Sequence, residues 1–241
     1  MPWAIVAATL TLVAVHVFAG HMRLPGIPRS RWLSFSGGAA VAYVFLHLLP
    51  ELSAHQRTVA GHLSLDATAT PTIYLVALVG LMTFYGLERH ARRVARRRRP
   101  DDNAGAGGSL FRLHEASFAA YNLLIGYLLV HRERPGVGEL GLYTLAIALH
   151  FLAADHGLRE HYGSRYERVA RWWFAAAVVA GAAIGAVVEL PPTAIAILFA
   201  FLAGGIVLNV LKDELPAERE SAFVPFAAGA GGYGLLLWMT T

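Results

Sequence analysis

Long apolar stretches separated by short polar segments dominate this sequence. Eight of them approach the length of about 20 residues that a helix needs to cross a membrane, and they run over residues 2–18, 35–52, 72–87, 113–130, 140–156, 172–188, 193–211 and 223–239. All five tryptophans fall at the ends of these stretches, where amphipathic rings prefer the headgroup layer. The pattern predicts an all-α membrane protein with eight transmembrane helices, which form one polytopic domain over residues 1–241.

The basic residues predict how this bundle is oriented. If residue 1 lies outside, the inner connections carry 17 of the 20 Lys and Arg residues and the outer connections carry three. Because cytoplasmic loops are enriched in Lys and Arg, we predict that both termini lie outside. Eight of the 17 basic residues follow the third stretch, so residues 89–112 are interpreted as a basic, flexible cytoplasmic loop. The expected location is the lipid bilayer of a bacterial inner membrane.

Composition and charge narrow the classes of function. With 56% hydrophobic and 15% charged residues and a mean hydropathy of +0.50, a disordered chain and an ordinary cytosolic enzyme are excluded. The absence of cysteine excludes thiolate metal sites and redox switches. The basic residues lie in a membrane-side loop without interleaved aromatics, so no nucleic-acid partner is expected.

An internal repeat is visible at an offset of 166 residues. Residues 38–50 align without gaps with residues 204–216, and the identical pairs are Gly38/Gly204, Val41/Val207, Val44/Val210, Leu49/Leu215 and Pro50/Pro216. The two segments belong to the second and seventh stretches, which run in opposite directions. The alignment predicts an inverted repeat of helices 1–3 and 6–8 that flanks a central pair, helices 4 and 5, as in many transporters. Chance similarity between two helices rich in Gly, Ala and Val is the alternative.

Polar residues inside the apolar stretches are the candidate functional groups, because burying them in hydrocarbon is costly. Asn122 and His150 lie at similar depth on the adjacent fourth and fifth helices, and Asp155 follows His150 by five residues. Imidazole nitrogen with amide and carboxylate oxygen suits Zn²⁺ and similar ions. The predicted metal ligands are His150, Asn122, Asp155, His47, Glu51 and His156. His16 is interpreted as a helix-contact residue, with membership of the metal site as the alternative.

Four segments of the chain have a recognisable pattern, over residues 37–51, 84–90, 180–185 and 203–216, and a basic loop follows the third helix. In these features the chain resembles the ZIP (Zrt-, Irt-like protein) family of divalent-metal transporters. The resemblance implies eight helices with both ends outside, a transport site on the fourth and fifth helices, and a homodimer.

The transport site departs from the family pattern. Family members carry His-Asn-x-x-Asp/Glu-Gly on the fourth helix, where this chain has Tyr-Asn-Leu-Leu-Ile-Gly at 121–126. On the fifth helix many members carry His-Glu-x-Pro-His-Glu, and this chain has His-Phe-Leu-Ala-Ala-Asp at 150–155. Of these positions, only Asn122, His150 and Asp155 keep a metal donor. The retained donors therefore predict a site for one metal ion and not for two.

Three functions remain open at this stage. The first is a carrier, not an enzyme, that moves a divalent metal by alternating access at a midplane site, with Zn²⁺ as the favoured substrate and Cd²⁺, Mn²⁺ or Fe²⁺ as others. The second is a protein of ZIP fold that has lost transport and serves a metal-sensing, regulatory or structural role. The third is an intramembrane metal-dependent hydrolase built on His150, Asp155, His156 and His161, near one membrane face where zinc would activate water.

Overall fold

The computed structural model describes residues 2–18, 29–63, 71–96, 105–131, 136–162, 166–213 and 222–239. Apart from short connections these residues are helical, and no strand occurs among them. In chain order the helices are α1 Pro2–Phe18, α2 Arg29–Tyr43, α3 Leu49–Leu63, α4 Thr72–Arg96, α5 Gly105–Val130, α6 Val137–Tyr162, α7 Arg171–Val187, α8 Pro192–Asp213 and α9 Phe223–Trp238. Two π-helical segments, Val44–Leu48 and Tyr166–Ala170, lead into α3 and α7.

The helices have the length and composition of membrane spans in four places within the described residues. These are Ser34–His62, Thr72–His90, Tyr166–Val187 and Pro192–Leu211. Four shorter apolar helices accompany them, namely Pro2–Phe18, Glu115–Val130, Val137–Leu152 and Phe223–Trp238. The exposed surface carries many large apolar side chains, which a protein surrounded by lipid requires and a soluble one avoids. The architecture is therefore that of an all-α protein compatible with a membrane.

Glycines allow three pairs of helices to pack backbone against backbone. Helix α2 lies along α9, α4 along α8, and α5 along α7. In each pair a glycine on either helix faces the backbone of the other; the pairs are Gly38 and Gly229, Gly80 and Gly204, and Gly126 and Gly181. A Cβ added at any of these six positions would overlap a carbonyl oxygen of the facing helix. Such close contact replaces the hydrophobic driving force that helices lack in lipid.

Helix α1 closes the bundle on one side by packing against α6 and α7. Its buried face carries Ala4, Ala8, Leu12 and His16, which recur every four residues and so line one side of the helix. The opposite face exposes large apolar residues such as Val6 and Leu10. His16 is the one ionisable residue of this helix, and its place on the buried face directs the imidazole into the protein.

The helix boundaries agree with the predicted stretch at α1 and differ elsewhere, most clearly at two places. Residues 89–112, predicted as a flexible loop, are helical over 89–96 and 105–112, because α4 ends at Arg96 and α5 begins at Gly105. Arginine is a good helix former, so a basic composition did not by itself mark the end of the helix. The second stretch, predicted over 35–52, lies within a longer run of helix from Arg29 to Leu63 that contains the π-helical segment.

Candidate polar site between helices α1, α5 and α6

Three polar side chains meet in the interior of the bundle although they are far apart in sequence. His16 of α1 places its Nδ1 2.7 Å from Oδ2 of Asp155 on α6, and its Nε2 2.8 Å from Oδ1 of Asn122 on α5. Each of the three residues is at most 4% exposed. The imidazole thus links two oxygen-bearing side chains of neighbouring helices, and we call this set the His16 network.

Hydrogen bonding fixes the orientation of the Asn122 amide. Its Nδ2 donates to the backbone oxygen of Phe118 over 2.8 Å, so Oδ1 is the atom that faces the ring. Nε2 of His16 therefore carries a proton and donates to Oδ1. The hydrogen bond between Nδ1 and Oδ2 of Asp155 needs one further proton, on one of these two atoms. With both nitrogens engaged in this way, the ring offers no lone pair to a metal ion in this conformation.

Aromatic side chains surround the ring and exclude other polar partners. The ring centroid of His16 lies 4.3 Å from that of Phe151 and 5.8 Å from that of Phe174. The hydroxyl of Tyr166 is buried beside the Asp155 carboxyl group and makes no hydrogen bond of regular geometry with any described residue. Apolar walls strengthen the electrostatic interactions inside them, so the network is well suited to holding its three members in place.

The network lies towards one end of the helix bundle. His16 is two residues from the end of α1, which corresponds to about 3 Å along the helix axis. The neighbouring carbonyl oxygen of Val17 lies 3.5 Å from Nη1 of Arg171, the first residue of α7. A charged side chain at this level marks the edge of the apolar layer. The network is thus nearer to this edge than the midplane site that the sequence predicts.

His150, the central residue of the predicted site, contacts a different partner. Its Nε2 lies 3.2 Å from the hydroxyl of Tyr121, and both side chains are buried. The structure brings Asn122 and Asp155 together, as the sequence predicts, but the imidazole between them belongs to His16. His150 precedes Asp155 by five residues, which places the two about 140° apart around α6.

The predicted pair on the second helix also forms. Nε2 of His47, within the π-helical segment, lies 3.3 Å from Oε2 of Glu51, and both side chains are about one fifth exposed. The ring of Tyr43 stacks on His47 with 5.3 Å between centroids. The Tyr43 hydroxyl is buried and has no hydrogen-bond partner among the described residues. This second polar pair lies in the π-helical segment and α3, whereas the His16 network is built from α1, α5 and α6.

One predicted ligand lies outside the described residues, and one functional candidate was underestimated. The side chain of His156, like that of His161, is not part of the description. Among the side chains that are described, no group of three or more His, Asp or Glu residues is close enough to hold a metal ion. The sequence predicts His16 as a helix contact. Its position on the buried face of a helix with no other ionisable residue is the sequence signal that indicates a larger role.

Comparison with known proteins gives no further assignment. No protein-family model matches the chain, and no curated protein or solved structure is significantly similar to it.

Proposed function

We propose that this protein is a ZIP-like membrane carrier, not an enzyme, for a divalent transition metal, with Zn²⁺ as the favoured substrate and Cd²⁺, Mn²⁺ or Fe²⁺ as alternatives. The observation that carries the proposal is the His16 network, in which imidazole, amide and carboxylate groups from three helices converge in the bundle interior. Nitrogen and oxygen donors of this kind suit first-row divalent ions. Burying polar groups inside a membrane protein costs free energy, and such groups are therefore candidates for a functional role.

The geometry of the network indicates how an ion would enter. An ion that binds Asp155 Oδ2 and Asn122 Oδ1 takes the place of the His16 ring nitrogens, which now lie 2.7 and 2.8 Å from those oxygens. The ring must turn, either away from the ion or so that one nitrogen becomes a third ligand. Three protein ligands and water are sufficient for zinc. The carrier therefore uses Asp155, Asn122 and His16, whereas His47, Glu51 and His150 serve as polar lining elsewhere in the bundle.

The glycine contacts support the inverted repeat that alternating access requires. In the sequence alignment Gly38 corresponds to Gly204. Gly38 packs against α9, which is the eighth span, and Gly204 packs against α4, which is the third span. The predicted repeat relates the third span to the eighth, just as it relates the second span to the seventh. Equivalent glycines thus occupy equivalent packing positions. In this proposal both termini lie outside, the eight spans cross a bacterial inner membrane, and two copies of the chain form a dimer.

A second function is favoured by the complete internal pairing of the network. Both ring nitrogens of His16 are hydrogen-bonded within the protein, so the protein's own imidazole occupies the place of a cation. In a protein of ZIP fold that has lost transport, the same contacts hold α1, α5 and α6 together and have a structural or metal-sensing role. The two functions differ in whether the ring ever leaves its partners.

A flux measurement separates the two functions. Purified protein in liposomes that contain a metal-sensitive dye is exposed to Zn²⁺, Cd²⁺, Mn²⁺ or Fe²⁺. For the carrier we expect saturable entry of at least one ion, and a fall of about 100-fold or more in Asp155→Asn, because the substitution removes the network's carboxylate and with it the charge that attracts the ion. His150→Ala is the matched control, since the hydrogen bond of His150 is to the Tyr121 hydroxyl.

The outcomes lead to different conclusions. Flux that is lost in Asp155→Asn and kept in His150→Ala supports the carrier with the revised site. Flux that is lost only in His150→Ala restores the site predicted from sequence and contradicts the one proposed above. The absence of flux from a protein that remains monodisperse and thermally stable favours the second function.

A further inference from the structure

Arg171 has buried hydrogen-bonding capacity that the protein does not use. Its Nη1 makes a long contact of 3.5 Å with the carbonyl oxygen of Val17 at the end of α1, and its guanidinium carbon lies 5.1 Å from the centroid of the Trp172 ring. Its Nε is buried and has no acceptor among the described residues. An unpaired guanidinium donor in such a place is costly, and it leaves Arg171 able to bind an acceptor from outside the chain.

Two carboxylates of this region are engaged with other residues. Asp155 pairs with His16, and Glu167 forms an ion pair with Arg159. The π-helical segment that precedes Arg171 adds an exposed cation, Arg168. This corner of the bundle is therefore suited to an anion from outside the chain.

The position of Arg171 indicates the source of that anion. It begins α7, at the end of the candidate span Tyr166–Val187, and is followed by Trp172 and Trp173, which are 52% and 60% exposed. Tryptophans at the end of an apolar helix lie in the headgroup layer. At that level the abundant anion is the phosphate group of a lipid, and basic pockets between helices on the cytoplasmic side bind such groups.

We propose that Arg171, at the start of α7, is a binding site for a phosphate group, which an anionic phospholipid of the adjoining leaflet supplies. The Nε and Nη2 edge of a guanidinium donates two parallel hydrogen bonds to phosphate oxygens, while Nη1 keeps its contact with α1. Because the Arg171 side chain is half-buried, a small rotation brings Nε to the surface. The bound phosphate then ties α7 to the end of α1. This site does not depend on the metal proposal.

A ligand-dependent thermal shift tests the site. Detergent-purified protein is titrated with short-chain phosphatidylglycerol, with short-chain phosphatidylcholine of the same length, and with inorganic phosphate. We expect phosphatidylglycerol to raise the Tm of the unaltered chain at concentrations at which phosphatidylcholine does not. In Arg171→Gln the concentration needed for half of this rise increases about tenfold, as the loss of one charged hydrogen-bonding group implies.

Matched variants distinguish a defined site from general attraction to charge. Arg168→Gln removes the same charge three residues earlier from an exposed side chain, and we expect its titration to match the unaltered chain within twofold. Arg171→Lys keeps the charge but lacks the Nε edge, so we expect its half-maximal concentration to lie between those of the unaltered chain and Arg171→Gln. This variant replaces Arg171→Gln in the test if Arg171→Gln does not fold. Stabilisation by inorganic phosphate that is equally sensitive to Arg171 supports the phosphate site but assigns it to a free anion. Equal losses in Arg168→Gln and Arg171→Gln, or no stabilisation of the unaltered chain by either anion, overturn the proposal.

Discussion

Replacement of Asp155 by alanine is expected to lower the free energy of unfolding by about 3–5 kcal/mol, the usual cost of removing one partner from a buried ion-pair contact. Asp155 is 2% exposed and receives the His16 ring over 2.7 Å. Without the carboxyl group, Nδ1 of His16 loses its hydrogen-bond partner in a pocket walled by Phe151 and Phe174. For a protein of this size the loss corresponds to a fall in Tm of roughly 6–20 °C.

Removal of the whole network is expected to cost far less stability than removal of one member. In the triple variant His16→Phe/Asn122→Leu/Asp155→Leu, apolar side chains of similar volume replace all three polar groups, so no buried donor or acceptor of the network remains unpaired. Such replacements of buried charged groups are often neutral or stabilising. We therefore expect the Tm of the triple variant to lie closer to that of the unaltered chain than to that of Asp155→Ala.

The triple variant separates a structural role from a role in transport. Thermal melts in detergent give its stability, and the liposome assay gives its flux. A stable triple variant without flux, beside an unaltered chain with flux, places transport in the network. A stable triple variant that still moves metal would rule out the network as the transport site, and a triple variant as unstable as Asp155→Ala would mean that the polar contacts themselves hold the helices together.

The positions of the helices could be predicted from the sequence because each helix is encoded by a local pattern of residues. Apolar runs with tryptophans at their ends predicted α1 with the bounds that the structure gives, Pro2–Phe18. The same reasoning placed the end of the third stretch too early, since a switch from apolar to basic residues marks the edge of the lipid layer and not the end of a helix. Helix α4 continues to Arg96 beyond that edge.

The partner of Asn122 and Asp155 was harder to predict because it depends on distant contacts. His16 is separated from these residues by 106 and 139 positions, and neither periodicity nor depth tells which helix packs against which. His150 was predicted as the partner of Asn122 because the two residues lie at a similar depth in the membrane. Among residues of similar depth, however, the direction in which a side chain leaves its helix decides what it contacts. On α6 that direction turns His150 to Tyr121 and Asp155 to α1.

The glycines, in contrast, could be predicted in part from the sequence. The alignment identified Gly38 and Gly204 as equivalent, and both lie where two helix backbones touch. The partner glycines, Gly229 and Gly80, have no sequence signal that tells them from other glycines of the same helices, such as Gly231 and Gly86. Only the packing shows that a side chain at Gly231 or Gly86 would meet open space.

Alanine at Gly38 or Gly204 is accordingly expected to destabilise the bundle, with similar effects at the two positions. The added Cβ overlaps the carbonyl oxygen of Phe226 in the first case and of Ala77 in the second. Backbone cannot yield as a flexible side chain does, so the helices must separate along their length. Overpacking of this kind costs about 1–3 kcal/mol or more, which lowers the Tm by roughly 2–12 °C.

Alanine at Gly86 or Gly231 provides the matched control on the partner helices α4 and α9. Neither position has an atom within 4 Å of the added Cβ, and alanine favours helix more than glycine does, so the Tm is expected to stay the same or rise. Thermal melts of the four variants in one detergent check the contrast. If Gly38→Ala and Gly204→Ala melt like the controls, the helices are not in backbone contact at these positions. If one is destabilised and the other is not, the two glycines are not equivalent, and the inverted repeat loses its structural support. Equal losses confined to Gly38 and Gly204 are the result that a two-fold relation between the halves requires.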